Sequence, residues 1–200
     1  MPDILRFSDL NQLKLMASTE TPVCDFGLAA PDFSLKGVDG KPWSRDQCSG
    51  PNGLLVMFIC IHCPYVQAIN SKLIRDAEEL ESIGVNCVAI MPNDTEYYPE
   101  DSFENMQRVA LESGYPFPYL IDETQDVARA YGAVCTPDFF GYNSRLELQY
   151  RGRLDASGRW PGKGDEQREL YQAMKQVAET GKGPESQIPS IGCSIKWRDN

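Results

Sequence analysis

The sequence predicts an α/β sandwich: a mixed central β-sheet flanked by helices, with an N-terminal β-hairpin added. Three observations carry this. Leu54-Leu55-Val56-Met57-Phe58-Ile59 is an unbroken apolar run after a Gly/Pro turn, which suits a central strand buried on both faces. From Cys63 to Ile83, the residues Val66, Ile69, Leu73, Ala77 and Leu80 recur at steps of three and four, making the apolar stripe of a helix. Val85 to Met91 is a second apolar run and completes strand–helix–strand.

The remaining elements follow in order. Residues 1–25 read as a lead-in helix or loose extension, 26–181 as the main domain and 182–200 as a tail. Ala30-Pro31-Asp32-Phe33-Ser34-Leu35 and Val38-Asp39-Gly40-Lys41 read as strand, turn and strand, because Asp-Gly is a strong hairpin signal. Gly84 stops the long helix. Ser102 to Ser113 predicts a helix with Phe103, Met106, Val109 and Ala110 on one face. Pro118 to Ile121 is a short strand, and Asp126 to Tyr131 a short helix closed by Gly132. Phe139 to Tyr142 and Leu146 to Tyr150 form two strands around Asn143-Ser144-Arg145. Asp165 to Thr180 is a last amphipathic helix, with Leu170, Met174 and Val177 inward and Gly181 at its end.

The bulk numbers set limits. A chain of 200 residues suits one domain with extensions. Its net charge of −10 argues against a nucleic-acid partner, which needs Lys and Arg to displace counterions, and against an anionic membrane surface. The longest apolar run, Leu54 to Ile61, falls well short of the ~18 residues of a membrane span. No apolar stretch near Met1 resembles a leader, so a cytoplasmic protein is expected. Seven cysteines, at 24, 48, 60, 63, 87, 135 and 193, are odd in number and irregular in spacing. That is unlike a secreted disulfide framework; in a reducing compartment cysteine is buried packing, catalytic or metal-binding.

Cys60-Ile61-His62-Cys63 carries the chemistry. A buried strand runs into Cys60, and a helix follows. Such a junction aims backbone N–H groups and the positive end of the helix dipole at a thiolate, the reactive form of cysteine. Two cysteines three apart there can close a small disulfide ring. The competing readings are inert core thiols, or a zinc or Cu(I) site drawing on Cys60, His62, Cys63 and Cys135. His62, the only histidine, lies between the two sulfurs. A partly charged imidazole there favours a neighbouring thiolate and makes the couple more oxidising. If Pro64 opens the helix, Cys63 becomes its N-cap and receives the free N–H groups, which leaves open which sulfur attacks. Thr136-Pro137 opens a later strand, where proline marks an edge or a cis bond. Cys135, two residues earlier, reads most simply as a small buried hydrophobe. Cys24 and Cys48 sit in polar loops, Cys87 reads as packing, Asn93 and Asp94 as loop capping, and Arg151 and Arg153 as surface charges.

At these residues the chain resembles the thioredoxin-like superfamily, and more narrowly the peroxiredoxin-like (alkyl hydroperoxide reductase/thiol-specific antioxidant) group. The resemblance runs from about Gly27 to Asp155 and returns at Gly192-Cys193-Ser194-Ile195-Lys196-Trp197. Its most specific stretches are Phe58 to Val66, Tyr98-Pro99-Glu100-Asp101-Ser102-Phe103 and Tyr131 to Phe139. It implies a sheet flanked by helices, with Thr136-Pro137 at a cis-proline that faces the sulfurs and pairs with substrate backbone. Peroxiredoxins carry P-x-x-x-T-x-x-C. Laying that last Cys on Cys63 puts Cys60 at the Thr position and Val56 at the Pro position, and Pro137 where an activating Arg belongs. Thiol–disulfide exchange through a Cys60–Cys63 disulfide is therefore the implied activity, with thiol-dependent peroxidase behind it. By the same resemblance Cys60 attacks and Cys63 resolves. No other cofactor is implied. The partners implied are protein or small-molecule disulfides or peroxides, and an unidentified thiol electron donor. Cys135 or Cys193 is an extra thiol if the tail folds back.

Overall fold

The computed structural model describes residues 18–22 and 25–198. The expected lead-in helix falls mostly outside them. The chain forms β1 (Ser18–Glu20), β2 (Ser34–Gly37), β3 (Pro42–Ser44), α1 (Arg45–Cys48), β4 (Gly53–Phe58), α2 (Pro64–Ser82) and β5 (Val85–Met91). A single 3-10 turn (Pro99–Asp101) precedes α3 (Phe103–Ser113), β6 (Tyr119–Ile121), α4 (Asp126–Tyr131), β7 (Cys135–Thr136) and β8 (Asp138–Asn143). The chain closes with β9 (Leu148–Tyr150), α5 (Glu169–Thr180) and β10 (Ile191–Ser194).

The main sheet has the order β3-β2-β6-β5-β4-β8-β9. β4 lies parallel to β5 and antiparallel to β8, so the sheet is mixed. All six residues of β4 are buried, as its apolar run requires. Side chains alternate along a strand, and this sorts them into two layers. Leu55, Met57, Val85, Cys87, Ala89 and Met91 pack under the stripe of α2 and under Leu170, Ala173, Met174 and Val177 of α5. Leu54, Val56, Phe58, Val88 and Ile90 face the other way, against Ala128 and Tyr131 of α4, Phe33 and Cys48. No helix among the described residues is long and apolar enough to cross a membrane.

Several boundaries differ from the sequence reading. The hairpin strand begins at Ser34 rather than Ala30. α1 is new: Ser44 and Gln47 form a capping box, and Cys48 at its end is buried rather than in a polar loop. α5 starts at Glu169, four residues later than expected. The preceding stretch is held as a loop because Glu166 accepts from Lys163 and Gly164 backbone N–H and from Lys72.

Gly141 in β8 is the tightest contact between sheet and α5. A Cβ there would collide with Met174 Sδ and stand 2.9 Å from Tyr150 Cβ. Met174 can swing aside, but Tyr150 Cβ is fixed to β9. Gly141→Ala is therefore expected to cost about 1–3 kcal/mol of stability, measured by urea denaturation. A neutral result would show that β9 gives way freely.

Candidate active site

The C-terminal end of β4 delivers the Cys60-Ile61-His62-Cys63 motif. The chain leaves the sheet after Phe58, passes Cys60 and His62, and enters α2 at Pro64. Cys63 is the N-cap of α2, with φ −71° and ψ 119°, and Pro64 is at the first helical position. The two thiols lie in one buried cluster and both meet Thr136. Cys60 Sγ lies 3.3 Å from Thr136 Oγ1, and Cys63 Sγ is 3.0 Å from the Thr136 carbonyl, to which it donates as a thiol. Thr136–Pro137 is cis, as the resemblance implied. Both cysteines are sealed: 1% of Cys60 and 0% of Cys63 is exposed.

Their cover is the tail. β1, β10 and β7 form a second, three-stranded sheet. Cys193 pairs in register with Thr136, and Ser194 with Cys135. Residues opposite each other across an antiparallel pair project to the same face. Cys193 therefore shares the face on which Thr136 meets Cys60, and it lies with Cys60 and Cys63 in one buried cluster. Alternation sends Cys135 to the opposite face, where its Sγ is 3.5 Å from the Pro137 carbonyl. Cys60, Cys63, Thr136 and Cys193 are thus together, and Cys135 is not with them.

Asp101 holds the motif from below, and no sequence reading singled it out. Its Oδ1 accepts from the backbone N–H of Ile61 at 2.8 Å and of His62 at 3.3 Å. Its Oδ2 is 2.7 Å from His62 Nδ1 and accepts from Asn93 Nδ2 at 2.8 Å. The carboxylate is fully buried. Burial pushes its pKa up, but bonds from His62, Asn93 and the Ile61 N–H outweigh that and hold it below the ordinary carboxylate value. The bond to Asp101 raises His62, against its own burial. The His62 ring stacks on Tyr98 at 5.9 Å. Asn93 is thus a buried partner of the carboxylate rather than a loop cap alone.

The charged pair has a pH signature. His62 titrates above 6.5, so its contribution is complete below 6.5 and fades as pH rises through the raised value. Asp101 titrates below 3.8, so its contribution is complete above 3.8 and is lost as pH falls through the lowered value. The gap in denaturation midpoint between wild type and His62→Gln should be widest between pH 3.8 and 6.5 and narrow on the alkaline side. A gap that stays constant into alkaline buffer would show that His62 is neutral.

The two sulfurs differ in acidity. Cys63 is held well below the ordinary thiol value by donation from Cys193 and Cys60, against its burial, with backbone N–H groups of Cys193 and Val66 adding to it. Cys60 is pushed well up, chiefly by burial and by hydrogen bonding with Cys63. When Cys63 ionises it no longer donates to the Thr136 carbonyl; those N–H and S–H groups take the charge instead.

Residues 26–156 match the family described as AhpC/TSA. The chain belongs to the AhpC/TSA family. Among solved structures, this AhpC/TSA protein is 45% identical to an uncharacterized conserved protein from Geobacillus kaustophilus, covering 92% of this chain and 98% of that one, with a TM-score of 0.86. It is 36% identical to a hypothetical protein from Sinorhizobium meliloti, over 91% and 100% of the two chains, with a TM-score of 0.84. The thioredoxin domain of a thiol-disulfide oxidoreductase from Bacteroides vulgatus is 14% identical over 78% and 99% of the chains; its TM-score of 0.60 shows the shared thioredoxin-like fold. No curated protein matches the sequence.

In this AhpC/TSA protein the loop over residues 132–138 is fixed by a buried ion pair. Arg151 is buried, not a surface charge: it bonds Asp138 Oδ2 at 3.1 Å and the Gly132 carbonyl at 2.7 Å. Arg153 is only partly exposed and pairs with Glu169. Beside the loop lies a cleft of about 410 Å³, lined by Tyr65, Ile69, Pro137, Trp160, Ile188 and Ile191. Among the described residues, Cys60 Sγ, a His62 ring nitrogen and an Asp101 oxygen lie within 4.8 Å of one another and are the group placed to hold a metal ion. The donor set read from sequence differs, because it lacked Asp101 and included Cys63 and Cys135. All three donors are already engaged in the bonds described.

Proposed function

We propose that this AhpC/TSA protein is a thiol–disulfide oxidoreductase working through the Cys60/Cys63 dithiol. The observation that carries the reading is the convergence of the two sulfurs on Thr136, Cys60 on its hydroxyl and Cys63 on its carbonyl, at the start of α2. Cys63 is the attacking thiolate, since it stands at the N-cap position by the positive end of the α2 dipole and is held well below the ordinary thiol value while Cys60 is pushed up. This reverses the order that the resemblance implied. The Cys63 thiolate attacks a substrate disulfide, one substrate sulfur leaves as thiolate, and a mixed disulfide forms. Cys60 then gives up its proton and attacks Cys63 Sγ; the second substrate sulfur leaves, and Cys60–Cys63 is the product. An external thiol donor reduces it again.

The reading requires no cofactor other than this pair. The cleft beside Pro137, lined by Glu20, Arg153, Asp155 and Arg159 as well as by apolar side chains, supports an organic or polypeptide disulfide as substrate, because Trp160 (72% exposed) and Ile191 (41%) offer contact surface that a peroxide has no use for. Mass spectrometry after equilibration in graded glutathione buffers, with insulin reduction and peroxide consumption assayed in parallel, tests it. Joining of Cys60 to Cys63 with insulin reduction is expected. Thiols that never join under mild oxidant overturn the reading, and peroxide turnover without insulin reduction replaces it with a peroxidase.

A further inference from the structure

Cys63 has two thiol neighbours, and the dithiol reading uses only one. The second, Cys193, is brought in by a strand that is firmly seated. Thr21 N–H donates to the Ser190 carbonyl at 3.0 Å, and Ser190 Oγ donates to the Pro137 carbonyl at 2.7 Å. Beyond Cys193, Ile195 N–H donates to the Val134 carbonyl at 3.1 Å and Lys196 N–H to Asn93 Oδ1 at 2.9 Å. β10 is therefore pinned on both sides of the cysteine. Gly192 makes the approach possible, since a Cβ there would collide with the Thr136 carbonyl.

We propose that Cys193 is a third redox thiol of this centre, taking the disulfide over from Cys60 by exchange at the Cys63 sulfur. The proposal rests on the dithiol reading above. Starting from Cys60–Cys63, the Cys193 thiol gives up its proton and its sulfur attacks Cys63 Sγ. The Cys63–Cys193 bond forms and the Cys60–Cys63 bond breaks. Cys60 leaves with the bonding electrons and takes up a proton. Cys193 is oxidised, Cys60 is reduced, and no outside oxidant enters the step. In the reduced protein, hydrogen bonding to the Cys63 thiolate, together with burial, keeps Cys193 protonated, while Lys196 and Arg159 pull the other way. Once Cys63 is in a disulfide it carries no charge, so that restraint is lifted when the exchange needs a thiolate.

The exchange places the oxidising equivalent on the tail. It covalently fastens β10 over the site and leaves Cys60 free. The occupant of the second bond is fixed by the fold: the same three sulfurs in every molecule, independent of protein concentration.

Peptide mapping of acid-quenched protein after oxidised glutathione is the test. Wild type is expected to show both Cys60–Cys63 and Cys63–Cys193. Cys60→Ser should form Cys63–Cys193 at any protein concentration, and Cys60→Ser/Cys193→Ser should form no internal bond. Cys193→Ser should lose only the second species. In Cys60→Ser, adding Gly192→Ala should slow the bond by lifting β10 while leaving both sulfurs present. Wild type that forms Cys60–Cys63 while Cys60→Ser keeps Cys193 reduced overturns the exchange and leaves the dithiol reading standing. Wild type that never joins Cys60 to Cys63 overturns both.

Discussion

Cys63→Ser is expected to reduce insulin-reductase activity to the uncatalysed rate and to abolish every internal disulfide at the site. The reason is positional. Cys63 is the sulfur whose acidity both Cys60 and Cys193 raise, and it occupies the N-cap position of α2. A serine hydroxyl at the same N-cap is a good capping group, so the fold should hold while the chemistry goes. Cys60→Ser gives a different failure. Its Cys63 should still attack, so one equivalent of substrate should be captured as a mixed disulfide, visible by intact mass, before turnover stops. Single-turnover capture by Cys63→Ser instead, with none by Cys60→Ser, would exchange the two roles.

Asp101→Ala should have the largest effect on stability of any single change in the motif's surroundings. It strips acceptors from two backbone N–H groups, His62 and Asn93 at once. Leaving such donors unpaired, together with the loss of a buried partner for His62, should cost about 3 kcal/mol. For a chain of this size, that lowers Tm by roughly 6–12 °C, which calorimetry reads directly. Asp101→Asn, which keeps an acceptor but no charge, should fall between. A loss below about 0.5 kcal/mol for the alanine variant would place it among ordinary surface changes and show that the carboxylate does not hold the loop.

The central layers were legible because their signals are local. The run from Leu54 to Phe58 and the stripe from Val66 to Leu80 each write their period into consecutive residues. Pro64 likewise announced the cap at Cys63. Asp101 carried no such signal. It is the last residue of a 3-10 turn, and its partners Ile61 and His62 lie 40 and 39 residues away in sequence. The strand Ile191–Ser194 has no alternating pattern, and its identity as a strand depends on its pairing with the distant β1 and with the two-residue edge Cys135–Thr136. Cys135 illustrates the parity of a strand: one position separates it from Thr136, and that step puts it on the wrong side for the site. Arg151 read as a surface charge and Asn93 as a loop cap because their burial follows from Asp138 and Asp101, which only the assembled chain brings near.

The roof that β10 builds over the sulfurs sets the conditions of access. The Ile61 and His62 amides are clamped to one carboxylate beneath the sulfurs, and β10 is held by hydrogen bonds on both of its edges above them. A reactive oxygen species drifting past meets closed protein rather than a bare thiolate, which keeps Cys63 off the irreversible sulfinic and sulfonic steps of cysteine oxidation. On the oxidoreductase reading that protection is gained at the expense of speed, because a substrate disulfide must displace part of the same cover to reach a sulfur.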